Sequence, residues 1–125
     1  MTTLLFVDDE ETIGRAVSRL FSLRGDTALL AHSVSEAQLV LMMHEPDIIF
    51  IDVWLGGESG FELLNWIEEN RPHLAERVTF VSGDLVPKEG SDGVWRRLGR
   101  PIIQKPFDFS KLIEVVADAG KGSRA

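Results

Sequence analysis

The sequence predicts an α/β fold, a doubly wound parallel sheet carrying helices on both faces. Three observations carry that prediction. Short apolar runs such as Leu4–Val7 and Ile48–Ile51 lack the alternation of a half-wet strand, so they read as strands covered on both sides. Stretches with apolar residues at helical spacing follow them, and the alternation of strand and helix recurs about five times. Such βα repetition requires parallel strands joined by right-handed crossovers.

Leu4-Leu5-Phe6-Val7 is the first strand, and it stops abruptly at Asp8-Asp9-Glu10-Glu11. Ile13, Ala16, Val17, Leu20 and Phe21 then share one helical face, with Arg15, Ser18, Arg19 and Ser22 opposite and Gly25 as the stop. Thr27–Ala31 reads as the second strand. Ser33 and Glu36 stand at capping-box spacing and open a helix that turns Ala37, Val40 and Leu41 inward and ends before Pro46. Asp47-Ile48-Ile49-Phe50-Ile51-Asp52 is the clearest buried strand. A loop with Gly56, Gly57 and Gly60 leads to a helix with Phe61, Leu64 and Ile67 on one side, closed before Pro72. Val78–Ser82 is the fourth strand. In residues 83–100, Pro87, Gly90 and Gly93 interrupt any long helix and leave about two turns around Val94, Trp95 and Leu98. Pro101–Gln104 reads as a short fifth strand, and Leu112, Val115, Val116 and Ala119 form the inner face of a last helix. Residues 1–120 are thus expected to form one domain, with 121–125 a disordered tail.

Composition narrows the function. A chain of 125 residues has room for one domain and one good core. Thirteen basic against twenty acidic residues give a net charge of −7, which argues against direct nucleic-acid binding by this chain. The absence of cysteine excludes disulfides, thiolate catalysis and zinc–thiolate sites. Met1-Thr2-Thr3 lacks the basic run of a signal peptide and no apolar run approaches bilayer length. A cytoplasmic location with no membrane partner is expected.

In a doubly wound sheet, ligands bind outside the carboxyl ends of the strands. Those ends are Asp8 and Asp9 for strand one, Asp52 for strand three, Ser82 for strand four and Lys105-Pro106 for strand five. The flavodoxin-like order 2-1-3-4-5 makes strands one and three neighbours, so three carboxylates converge with a hydroxyl and an ammonium facing them. Like charges this close repel, and a hard divalent cation with oxygen ligands, Mg2+, relieves the repulsion. The same cation would neutralise an incoming phosphoryl group and let an aspartate oxygen attack phosphorus.

Val7-Asp8-Asp9-Glu10, the Asp-Ile-Ile-Phe-Ile strand before Asp52, Gly60, Ser82 and Lys105-Pro106-Phe107 follow one another in an order that resembles the receiver domain of two-component response regulators. The resemblance covers nearly the whole chain. It implies that Asp8 and Asp9 bind the metal together with Asp52 and the backbone carbonyl of Trp54. Asp52 is then the phospho-acceptor, Ser82 the switch hydroxyl and Lys105 the phosphoryl-sensing lysine. The implied donor is a phosphohistidine on a sensor histidine kinase or a histidine phosphotransfer domain. The implied role is that of a signalling domain that assists its own phosphorylation and dephosphorylation, not a dedicated enzyme. Signalling would run through the face near strands four and five, with the chain a monomer or weak dimer. The run Val81-Ser82-Gly83-Asp84, with Gly99-Arg100-Pro101, resembles receivers attached to hybrid sensor kinases.

The chain also departs from the family pattern. Leu55-Gly56 replaces the usual Met-Pro pair, and the glycine is expected to loosen that turn. Ile102 stands where many receivers carry an aromatic residue. Taken singly, Asp8 and Asp9 suit a helix start, Ser82 a turn and Lys105-Pro106 a helix entry. Only their joint placement outweighs those readings. A metal-dependent phosphatase or nuclease remains an alternative, although Trp54 stands where an aspartate phosphatase would carry its second aspartate. A pseudo-receiver that binds a partner without phosphorylation is the other. The histidines at 32, 44 and 73 have no metal-ligand spacing, and Gly56, Gly57 and Gly60 lack the Gly-Lys-Ser/Thr of a phosphate loop.

Overall fold

The computed structural model describes residues 2–82, 102–104 and 109–122. The five-stranded parallel sheet is built from β1 (Thr3–Val7), β2 (Thr27–Ala31), β3 (Ile48–Asp52), β6 (Val78–Ser82) and β7 (Ile102–Gln104). Its spatial order is β2-β1-β3-β6-β7, the expected 2-1-3-4-5 once a small separate hairpin, β4 (Trp54–Leu55) with β5 (Glu58–Ser59), is set aside. The helices are α1 (Glu11–Leu23), α2 (Val34–Met43), α3 (Gly60–Asn70) and α4 (Phe109–Gly122). The short helix expected around Val94, Trp95 and Leu98 lies outside the described residues, as do Lys105 and Pro106.

The two faces of the sheet are two apolar layers, and strand pleating sorts residues between them. Leu5, Val7, Ile49, Ile51 and Phe80 face α2 and α3, where Ala37, Leu41, Leu63, Leu64 and Ile67 cover them. Leu4, Phe6, Phe50, Val81 and Ile103 face the opposite way, under Val17 and Phe21 of α1 and Leu112 and Val116 of α4. All five residues of β3 are buried, as a strand covered on both faces must be. Phe61 reaches in to tilt against Phe80 at a ring separation of 5.0 Å.

The helix boundaries follow local chemistry. Ser33 Oγ accepts the Glu36 amide at 3.2 Å, but the Glu36 carboxylate turns to the His32 amide and leaves the capping box half-closed. Gly25 takes φ +85° just after α1, the left-handed geometry that glycine adopts without strain. Pro72 closes α3 but opens a 3-10 helix, Pro72–Arg77, that periodicity does not reveal. At the other end, α4 continues through Gly120 and Lys121 to Gly122, past its last patterned apolar residue. Backbone hydrogen bonding carries a helix past its last buried side chain, and patterning marks only the latter.

Candidate metal centre

Strand register assembles the site. β1 pairs with β3 so that Val7 stands opposite Ile51, and one further step along both strands sets Asp8 beside Asp52. The Asp8 amide still belongs to the sheet and donates to the Ala31 carbonyl at 3.0 Å. Its Oδ1 accepts the Glu10 amide at 2.9 Å, an Asx turn that swings the chain off the sheet. Asp9 is therefore exposed while Asp8 is buried. The N-cap of α1 is Glu10, which makes no side-chain cap bond, so neither aspartate caps the helix.

Asp52 ends β3 and is only 6% exposed. Its Oδ1 accepts the Trp54 amide at 3.2 Å, and the Val53 amide continues the sheet by donating to Val81 at 2.9 Å. Carboxylate oxygens of Asp8, Asp9 and Asp52 all lie within 4.8 Å of one another. Opposed ligands of octahedral Mg2+ stand about 4.2 Å apart, twice its metal–oxygen distance. The three carboxylates thus fit such an ion with small side-chain adjustments. The donors are all hard oxygens, two of the three are buried, and burial makes their mutual repulsion costly in the absence of a counter-charge.

The remaining expected residues fall out as follows. Ser82 closes β6 on the same edge and is buried, with Val81 before it aligned on Asp52. Trp54 enters the hairpin directly after the strand end, with half its surface exposed. Lys105 follows β7 in the chain and lies outside the described residues. The histidines stay apart from the cluster as metal ligands, although His32 Nδ1 lies 3.4 Å from the backbone carbonyl of Asp8.

Gly60 fixes the strand end from below. A Cβ there would collide with the carbonyl oxygen of Asp52 and stand 2.8 Å from Ile51 Cγ2. The Gly60 amide donates to Val53 at 2.7 Å, so α3 starts pressed against the backbone that carries Asp52. Only glycine permits that approach.

The β4–β5 hairpin gives Gly56 a role that the expected loose turn did not include: it closes a two-residue Gly56-Gly57 loop with φ +62°, at the first loop position, where a type II′ turn needs glycine. The signal was present in the sequence, since Gly-Gly between two short flanks is a hairpin loop. The tip approaches Asp9: a Cβ on Gly56 would stand 3.8 Å from Asp9 Oδ2.

A family model described as the response regulator receiver domain matches residues 4–117. The chain is 36% identical over 112 residues to the phosphate regulon transcriptional regulatory protein PhoB of Pseudomonas aeruginosa, covering 89% of this chain and 48% of that one. It is 28% identical over 118 residues to the nitrogen assimilation regulatory protein NtrX of Azorhizobium caulinodans, covering 93% of this chain and 25% of that one. The crystal structure of a response regulator receiver protein from Pseudomonas putida superposes with a TM-score of 0.78 at 29% identity, over 94% of this chain and 96% of that one. The chain thus spans between a quarter and a half of the length of these two curated relatives.

Proposed function

The chain belongs to the receiver domains of two-component response regulators, and on that premise we propose that Asp52 accepts a phosphoryl group from a phosphohistidine. The donor is a sensor histidine kinase or a histidine phosphotransfer domain. One observation carries the proposal: Asp8, Asp9 and Asp52 converge within 4.8 Å at a single sheet edge. An oxygen of Asp52 attacks phosphorus in line, and the P–N bond breaks. Its electrons return to the donor imidazole, which leaves neutral because its other nitrogen carries a proton.

Asp8, Asp9, Asp52 and the backbone carbonyl of Trp54 would hold Mg2+, which when bound offsets the charge on the carboxylates and the phosphoryl oxygens. Ser82 would donate its hydroxyl to a phosphoryl oxygen, and Lys105 would pair with another. The domain assists its own phosphorylation and dephosphorylation and signals through the face near β6 and β7. We assign it to the cytoplasm as a monomer or weak dimer, with no direct contact with nucleic acid or membrane; the charge of −7 supports the lack of nucleic-acid contact.

The decisive experiment is incubation with acetyl phosphate and Mg2+, read by intact mass. Wild type should gain one base-labile phosphoryl adduct and Asp52→Asn none. Equal labelling of the two proteins sinks the assignment.

A further inference from the structure

We propose that Glu58 is a positioning residue for the metal centre, tying the loop beyond Asp52 to the start of α2. The proposal rests on the reading of Asp8, Asp9 and Asp52 as a Mg2+ site. Glu58 belongs to none of the motifs that identify the family; it is half-buried in β5. Its Oε1 accepts the Val34 amide at 3.2 Å, across 24 residues of chain. Val34 is the first residue of α2, so this amide is one of the donors that a helix start leaves without a partner inside the helix. Ser33 serves the Glu36 amide instead.

The hairpin needs such a tie. A ribbon of two two-residue strands is not stable alone in water. Its base is held: the Gly60 amide reaches Val53, and Ser59 Oγ accepts the Phe61 amide at 3.2 Å. Its tip, Gly56-Gly57, stands beside Asp9. Glu58 follows that tip directly and pairs across the ribbon with Leu55, while Trp54 pairs with Ser59. Holding Glu58 to α2 therefore sets the spacing between the tip, the Trp54 backbone and Asp9. The loop that Glu58 grips also touches the acid pair from the other side, because His32, two residues before Val34, approaches the Asp8 carbonyl at 3.4 Å. Asp8, His32, Val34, Glu58 and the hairpin close a ring that returns to Asp52 through the Trp54 amide.

A plain capping role for Glu58 would change stability and leave metal affinity alone. Mg2+ titrations of the full chain, followed by the backbone amide shifts of Asp9 and Trp54, separate the two roles when run beside metal-free urea unfolding. Glu58→Ala should weaken Mg2+ binding about tenfold, as loss of a partner behind a metal ligand does. Glu58→Gln, whose amide oxygen still accepts the Val34 amide, should stay within about threefold of wild type on the same scale. Val34→Pro removes the donor and keeps the carboxylate. Proline is at home at the first helical position, and Ser33 before it is already extended at φ −152° and ψ 168°. That variant should match Glu58→Ala.

Unchanged affinity in Glu58→Ala or Val34→Pro overturns the proposal. So does a Glu58→Gln as weak as the alanine variant, since charge and not the hydrogen bond would then be the cause. If wild type itself shows no Mg2+-dependent shifts, the metal reading fails first and this proposal falls with it, a result distinct from a failure confined to the variants.

Discussion

Where the strands begin, Asp47 Oδ2 accepts the Thr3 amide at 2.9 Å and Asp26 Oδ1 accepts the Thr2 amide at 3.0 Å. Glu45 at the same end meets Arg71 and His73, each at 2.7 Å. Where the strands finish, Asp8, Asp9 and Asp52 are gathered against one another within 4.8 Å. Both ends of the sheet are rich in acid, so acidity by itself marks neither as a site. What differs is the company each carboxylate keeps. At the entry end a backbone donor or a cationic side chain answers each one, and the gain is structural. At the exit end Asp8 and Asp52 also accept backbone amides, from Glu10 and Trp54, but there the carboxylates are gathered against one another as well, a repulsion that a cation would relieve.

The largest disturbance of this contrast should come from Gly60, which carries no charge at all. Gly60→Ala drives a Cβ into the carbonyl of Asp52, so either α3 or the end of β3 must shift. We expect a loss of about 3 kcal/mol in urea unfolding, the upper range for overpacking a tight contact. Mg2+ affinity should fall as well, because the displaced backbone carries Asp52. A variant as stable as wild type would mean that α3 does not set the position of the strand end.

A reciprocal pair tests the contrast directly. Asp9→Asn removes one of three like charges, so the metal-free protein should gain about 1 kcal/mol, the well-solvated value for charges about 4 Å apart. Its stability should also stop responding to Mg2+. Asp47→Ala at the opposite end should lose about 1 kcal/mol with the Thr3 hydrogen bond, and it should keep the full response to Mg2+. Urea midpoints with and without MgCl2 give both signs in one experiment. If the two substitutions shift stability in the same direction, the ends of the sheet are not opposed in the way described.

The meeting of Asp8, Asp9 and Asp52 at the exit end was readable in the sequence and the entry end was not, for a physical reason. Asp8, Asp9, Asp52 and Ser82 each follow an apolar run, and parallel pairing fixes where the ends of such runs meet. Periodicity located the strands, and the sheet order did the rest. Glu45, Arg71 and His73 have no such guide. They lie in connections after α2 and α3, and they meet because those helices pack on one face of the sheet. Glu58 was hidden likewise: its partner, Val34, is set by how a hairpin leans on a helix start, and no repeat in the sequence records that. The Gly56-Gly57 turn, by contrast, was local and legible.

The smallest expected effect lies in the Glu45 knot. Hydrogen bonding by His73, and then by Arg71, holds the Glu45 carboxyl below its ordinary value of 4.5. A lowered value in the folded state means that the interaction is fully present above about pH 4.5 and is lost as pH falls through the folded value. Glu45 is exposed to water, so screening keeps its share small, although Arg71 also anchors the end of α2 through the Leu41 carbonyl at 2.7 Å. Glu45→Gln should therefore lower the urea midpoint slightly at pH 7. The difference from wild type should shrink as pH drops below about 4.5, where protonation removes the charge that the substitution has already removed. A gap that widens in acid would show that Glu45 is stabilised in its protonated form, the reverse of what its two hydrogen bonds imply.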